Sequence, residues 1–169
     1  SLRVPLLHSL FAASAAMVNT VKASPTTVAV DPPEYTAPTV GHTFNMSVKI
    51  EDVTNLWSWG LSFSWDPEVI HVIVDAANQP LTYEGPFLKK AGPTLYLVSA
   101  VTDQGYIELA SSTLFVQAGA SGSGVLMTIT FISVAQGTTS LDLEGTDLVD
   151  PDENPISHEV EGGLITVVP

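Results

Sequence analysis

Leu56-Trp-Ser-Trp-Gly-Leu-Ser-Phe-Ser-Trp-Asp-Pro67 alternates large apolar and small residues almost without a break. Trp57, Trp59, Leu61, Phe63 and Trp65 fall on one face, and Ser58, Gly60, Ser62 and Ser64 on the other. A period of two sends successive side chains to opposite sides of a sheet, so the stretch predicts a strand with one face in a core and one flat face of small residues. All three tryptophans of the protein lie in it. Burying one large apolar side chain is worth roughly 1.5–3 kcal/mol, which makes this strand the richest source of core energy in the chain. Asp66-Pro67 ends it, because proline cannot donate to the ladder and Asp-Pro favours a turn.

The same reading extends in both directions. Upstream, Thr26 to Asp31 is a short strand closed by Pro32-Pro33, and Thr43 to Glu51 alternates with Phe44, Met46, Val48 and Ile50 inward. Downstream, Val69 to Val74 follows the Asp-Pro turn, and residues 75–92 are irregular, punctuated by Gln79-Pro80, Gly85-Pro86 and Gly92-Pro93. Thr94 to Val101 and Tyr106 to Thr113 form a hairpin about Asp103-Gln104-Gly105. Residues 119–124 read as a Gly/Ser/Ala loop leading into Val125 to Val134; Ser140 to Leu143, Asp147 to Val149 and Leu164 to Val168 complete the set. No helix is expected after residue 23. About nine short strands with Gly/Pro turns predict an all-β fold, an antiparallel two-sheet sandwich of jelly-roll or immunoglobulin-like type.

With 169 residues the chain is long enough for one domain with a real core. There is no cysteine, which excludes a disulfide framework, thiolate zinc sites and a cysteine nucleophile. Acidic residues outnumber basic ones by 18 to 5, and the formal charge of -13 disfavours nucleic acid and anionic membranes as partners. Residues 1–23 differ from the rest. Arg3 precedes an apolar run from Val4 to Val18, followed by Val21-Lys22-Ala23, the order of a secretory signal peptide cleaved between Ala23 and Ser24. The alternative reading is a retained apolar arm, in which Leu2, Val4, Leu6, Leu7, Leu10 and Phe11 dock on the domain or on a neighbouring subunit. The run is too short and too interrupted to cross a membrane.

Several stretches together make residues 26–168 resemble cohesin modules, particularly the cohesin-like domains of archaeal surface proteins. They are Val40-Gly41-His42-Thr43-Phe44; Val53-Thr54-Asn55-Leu56 with Phe63-Ser64-Trp65-Asp66-Pro67-Glu68-Val69-Ile70; Gly122-Ser123-Gly124-Val125-Leu126 with Thr128-Ile129-Thr130-Phe131; and Glu161-Gly162-Gly163-Leu164-Ile165-Thr166-Val167. The resemblance implies a nine-stranded jelly-roll over residues 24–169, extracellular and non-catalytic, whose flat sheet face binds a dockerin-like or other protein partner. In type I cohesins an Asn and an Asp, eight and six residues before the Asp-Pro, take part in dockerin contact. Here Ser58 and Gly60 stand at those positions, so the resemblance carries the fold further than it carries the partner.

Four candidate sites follow. The face Ser58, Gly60, Ser62, Ser64 is either a docking surface, since small side chains allow close approach, or an ordinary solvated sheet face. Asp147, Asp150, Asp152 and Glu153 are close enough in sequence to offer oxygens to a structural Ca²⁺, although the spacing is not that of an EF-hand loop; a solvated acidic loop has the same composition. Asn45-Met46-Ser47 is a glycosylation sequon with Asn45 on the outward face of its strand. The apolar arm is the fourth, and it defines an alternative function: a structural subunit that donates the arm to the next molecule of an extracellular filament. A carbohydrate-binding module is the third function considered, with Tyr35 and Trp57 as its aromatics. Nothing in the sequence carries a catalytic motif: no GxSxG elbow and no HxxxH or HxH spacing among His8, His42, His71 and His158.

Overall fold

The computed structural model describes residues 22–101 and 104–169; the apolar arm, and most of the expected signal peptide with it, lies outside the described residues. In chain order the elements are β1 (Thr27–Asp31), β2 (Glu34–Ala37), β3 (Thr43–Leu56), β4 (Ser58–Ser64), β5 (Ile70–Val72) and β6 (Thr82–Glu84). A short helix α1 (Pro86–Lys89) precedes β7 (Thr94–Val101), β8 (Tyr106–Leu114), β9 (Ala120–Ser133), β10 (Gly137–Val149), β11 (Glu159–Glu161) and β12 (Gly163–Val167). The first sheet runs β11-β1-β3-β9-β5, with β6 also on β9, and the second runs β2-β12-β10-β4-β8-β7. The expected two-sheet jelly-roll sandwich is therefore present. Its pairs are antiparallel except at two edges, where β11 runs parallel to β1 and β2 parallel to β12.

β4 is an internal strand of the second sheet, between β10 and β8. Its inward residues Trp59, Leu61 and Phe63 are almost fully buried, and across the core they face Met46, Val48 and Ile50 of β3 and Ile129 and Phe131 of β9. Trp65 stands edge-on to Phe131 with ring centroids 5.3 Å apart, the edge-to-face geometry that aromatic quadrupoles favour. Trp57 departs from the alternation: it sits half-buried between β3 and β4, and its indole N–H donates to the Val116 carbonyl at 3.0 Å.

Among the described residues there are twelve strands where about nine were expected, for identifiable reasons. The Gly/Ser/Ala stretch before Val125 is not a loop but the first part of β9, paired with the far end of β3. That pairing is broken by register shifts near Asp52 and Asn55, both at positive φ, and Ser123 and Ser121 hydroxyls accept the backbone N–H groups of these two residues at 3.0 and 2.8 Å. The bulges replace alternation by a spacing of three between the buried Ile50, Val53 and Leu56, which hides the strand from a period-two reading. The two short strands expected between residues 140 and 149 are one strand, β10, bulged at Gly145-Thr146 where Gly145 takes φ 54°. β2, β6 and β11 have three or four residues each, too few for alternation to single them out. α1 has one turn, starts on Pro86 and buries Phe87 and Leu88.

A buried carboxylate joins the flank of the first sheet to the second. Glu84 of β6, its side chain 7% exposed, accepts hydrogen bonds from Ser112 (2.6 Å) and Thr94 (2.9 Å) and pairs with Lys89 of α1 at 3.2 Å. Close by, the Tyr96 hydroxyl donates to Thr82 at 3.0 Å, and burial pushes its phenol up to about 12. These contacts fix the edge strand β7, whose far side pairs with no strand among the described residues.

Two tight loops share one design. In Val74-Asp75 to Pro80 and in Val149-Asp150 to Pro155, the aspartate Oδ1 accepts the N–H groups two and four residues on, and a valine–proline bridge closes the loop. Asn78 and Glu153 supply the positive φ in each.

Candidate functional site

The four small residues of β4 lie together on the outer face of the second sheet, as the alternation predicts. Their hydroxyls are turned into the sheet. Ser58 Oγ is 2.6 Å from Thr113 Oγ1 and 3.2 Å from the Ser112 carbonyl, Ser62 donates to the Glu108 carbonyl at 2.7 Å, and Ser64 donates to Glu144 at 3.3 Å. A hydroxyl satisfied this way presents a low profile and no free donor, so the strip forms a floor rather than a row of hydrogen-bonding hooks. Gly60 completes the floor. A Cβ there would meet only Leu109 Cδ1, at 3.8 Å.

Neither side of this strip is small. On β7 and β8, Leu95, Leu97 and Leu109 stand out of the face, 46%, 54% and 45% exposed. On β10, Asp142, Glu144 and Asp147 are exposed opposite Ser64, Ser62 and Gly60. The ladder registers set Leu97, Ser111, Gly60 and Asp147 on one rung across four strands. The leucines escape a sequence reading because Thr94 to Val98 is nearly all apolar, so alternation cannot tell its two faces apart. The available signal is that excess itself: an edge strand apolar on both faces has a second face to cover.

The expected calcium constellation is not assembled. Asp150 spends its carboxylate on closing its loop: Oδ1 accepts the N–H groups of Asn154 and Asp152, and Oδ2 accepts from the Asn154 side-chain amide. The Asn154 backbone N–H is the main cause holding the Asp150 carboxyl below its ordinary value. Asp147 faces Gly60 on β10, whereas Asp152 and Glu153 are exposed loop residues. Among the described residues, no three His, Asp or Glu side chains gather as a metal site requires.

Asn45 is exposed on the outer face of the first sheet, where its Oδ1 accepts from the Thr130 hydroxyl at 2.9 Å. Tyr35 is partly buried, stacked on Phe44 and joined to His42 at 3.0 Å. Among the described residues the well-exposed aromatics are Tyr83, on β6, and Phe115, just beyond β8 in the other sheet, so they form no common platform for a sugar. Among the described residues, no helix is long and apolar enough to cross a membrane.

No family model and no curated protein matches the chain. Solved structures do. A non-cellulosomal cohesin from the archaeon Archaeoglobus fulgidus superimposes with a TM-score of 0.66 at 21% identity, covering 86% of this chain and 93% of the other. A type II cohesin domain from the cellulosome of Acetivibrio cellulolyticus gives 0.69 at 18% identity, covering 84% and 95%. A structure of a type I cohesin–dockerin complex from Clostridium thermocellum gives 0.67 at 18% identity, covering 86% and 96%. The fold is that of the cohesin domains.

Proposed function

We propose that this cohesin-like domain is a non-catalytic interaction module that works outside the cell and docks a protein partner on the outer face of its second sheet. The observation that carries the reading is the flat Ser58, Gly60, Ser62, Ser64 floor flanked by three exposed leucines. Large apolar side chains grouped on one open face mark an interaction surface, whereas scattered ones do not. Solved structures of the same fold include complexes with dockerins, which supports a protein as the partner. The signal-like order of residues 1–23 supports the location.

Photo-crosslinking tests the reading. With a benzophenone amino acid in place of Ser62, the chain returned to the culture fluid of its source is expected to form a discrete adduct with a protein. With the same group at Thr128, on the opposite outer face, it is expected to form none. Adducts from Thr128 and none from Ser62 would contradict the proposal.

A further inference from the structure

The two sheets end on strands of different kinds. In the first sheet β11, β5 and β6 have three residues each, and in the second β2 has four, set between Pro33 and Pro38. β11 and β2 also carry Glu159, Glu161 and Glu34. Shortness, charge and flanking proline are how sheets keep an edge from pairing with another chain. β7 has none of them. Its eight residues, Thr94–Val101, include no charge, proline or glycine, and Leu95 and Leu97 are exposed beside the edge.

The direction of its backbone groups follows from β8. The Leu114 N–H donates to the Trp57 carbonyl at 3.1 Å, on the β4 side, and the Phe115 N–H to the Pro93 carbonyl at 3.0 Å. Thr94 lies opposite Leu114, and backbone groups alternate along a strand. Leu95, Leu97 and Ser99 therefore turn theirs toward β8, and Thr94, Tyr96 and Val98 turn theirs outward. Among the described residues no loop or turn bond reaches the outward groups. The register shift between Ser99 and Ala100 ends the regular run.

We infer that β7 pairs antiparallel with β7 of a second copy, about a two-fold axis at Tyr96, and so joins the second sheets of both copies into one. Two-fold antiparallel pairing sets one residue opposite itself, because only then do facing side chains share a side of the sheet. Centred on Tyr96, it sets Thr94 opposite Val98 of the second copy and the reverse, about six backbone bonds in all, every one before the bulge. Leu95 then faces Leu97 of the second copy in the non-hydrogen-bonded pairs, where side chains approach most closely. Centring on Val98 would carry Tyr96 to Ala100, beyond the bulge; centring on Leu97 would set Leu95 against Ser99 and make fewer of those bonds. Charge does not oppose the pairing, although the chain carries -13. The carboxylates of β10 lie three strands in from β7, so the acidic rows of the two copies stand seven strand spacings apart, about 34 Å, several times the screening length of about 8 Å. The β4 floor stays open on both copies, so the inference goes beyond the docking reading and does not depend on it.

Sedimentation velocity of the full chain over a dilution series is expected to show a reversible monomer–dimer equilibrium. Val98→Pro removes an outward N–H and takes none from the ladder with β8, and Leu95→Lys sets a charge against Leu97 of the second copy; each is expected to weaken the dimer by about tenfold or more. Thr43→Lys, on the other sheet, is expected to leave it unchanged. The chain has no cysteine, so the register is open to disulfide trapping. Cα atoms of a non-hydrogen-bonded pair are about 4.5 Å apart, within disulfide reach. Under mild oxidation, a mixture of the Leu95→Cys and Leu97→Cys chains is expected to give about tenfold more covalent dimer than either chain alone. A chain monomeric at every concentration, a dimer that both edge variants leave intact, or self-crosslinking of the Leu97→Cys chain that matches the mixture overturns the inference. Amide protection at Tyr96 and Val98 that persists in the monomer overturns it too, since the chain would then cover its own edge. The Ser62 crosslink tests the docking reading separately from all of these outcomes.

Discussion

On the outer face of the first sheet the polar side chains answer one another: Ser47 lies 2.8 Å from Thr128, Thr130 donates to Asn45, and Lys49 pairs with Glu51 at 2.8 Å and with Asp31 at 3.9 Å. On the outer face of the second sheet the hydroxyls are satisfied within the sheet, but the leucines beside them are uncovered and the carboxylates beyond them have no cation among the described residues. Both faces are built largely from small and hydroxylic residues on a twisted sheet. The difference lies in what flanks those residues, and it teaches that a serine-rich strand is read as a surface only together with its neighbours two strands away.

The largest expected effect comes from charging the apolar row. Leu97→Asp should weaken association with the partner recovered by crosslinking by about thirtyfold or more, since one well-placed apolar anchor is worth about 2 kcal/mol or more at an interface. The same change at Thr43, on the other outer face, should alter it less than twofold. Both positions are exposed, so melting curves should stay close to wild type. Comparable losses from the two substitutions would erase the distinction between the faces.

Next in size is the support beneath the leucines. Glu84→Ala leaves the buried Ser112 hydroxyl, and that of Thr94, without their acceptor, and is expected to cost about 1–3 kcal/mol in denaturant unfolding. A change of a few tenths would mean that β7 is held by its ladder with β8 alone.

A smaller effect belongs to the acidic row. The triple neutralisation of Asp142, Glu144 and Asp147 should slow association by about tenfold at low ionic strength and flatten its salt dependence, because steering by exposed charge is screened over about 8 Å at 0.15 M salt. An unchanged salt slope would assign the steering to the remainder of the -13 charge.

The smallest effect is local. The Asp150 carboxyl is held below its ordinary 3.8 mainly by the Asn154 N–H, so its support for the loop is complete above that value and is lost as pH falls through the lowered one. Amide protection at Asp152 and Asn154 should therefore persist at pH 4 and fade on further acidification, and Asp150→Ala should remove it at every pH. Protection that survives the substitution would show that the valine–proline bridge closes the loop by itself.

Much of this was legible in the sequence, and the misses share a cause. β4 and the first part of β3 follow from alternation, because each has one face in the core, and the β7–β8 hairpin follows from the turn residues Asp103-Gln104-Gly105. The bulged part of β3, its partner in β9 and the continuity of β10 across its bulge do not, since an inserted residue at Asp52, Asn55 or Gly145 resets the period. The floor of the candidate site was legible residue by residue. Its flanks were not: Leu95 and Leu97 alternate with Tyr96 and Val98, which are also apolar, and Asp147 looked like part of a metal loop until β10 set it opposite Gly60. The shared Val-Asp…Pro loops were visible only once their hydrogen bonds were known.

The measurement that tests the central claim most directly is an amide hydrogen-exchange footprint of the chain bound to its crosslinked partner. The account predicts added protection within residues 58–64, 94–99, 106–113 and 142–149, with none gained within 43–51 or 128–132. Protection gained on the latter two segments, with the first four unchanged, would contradict it.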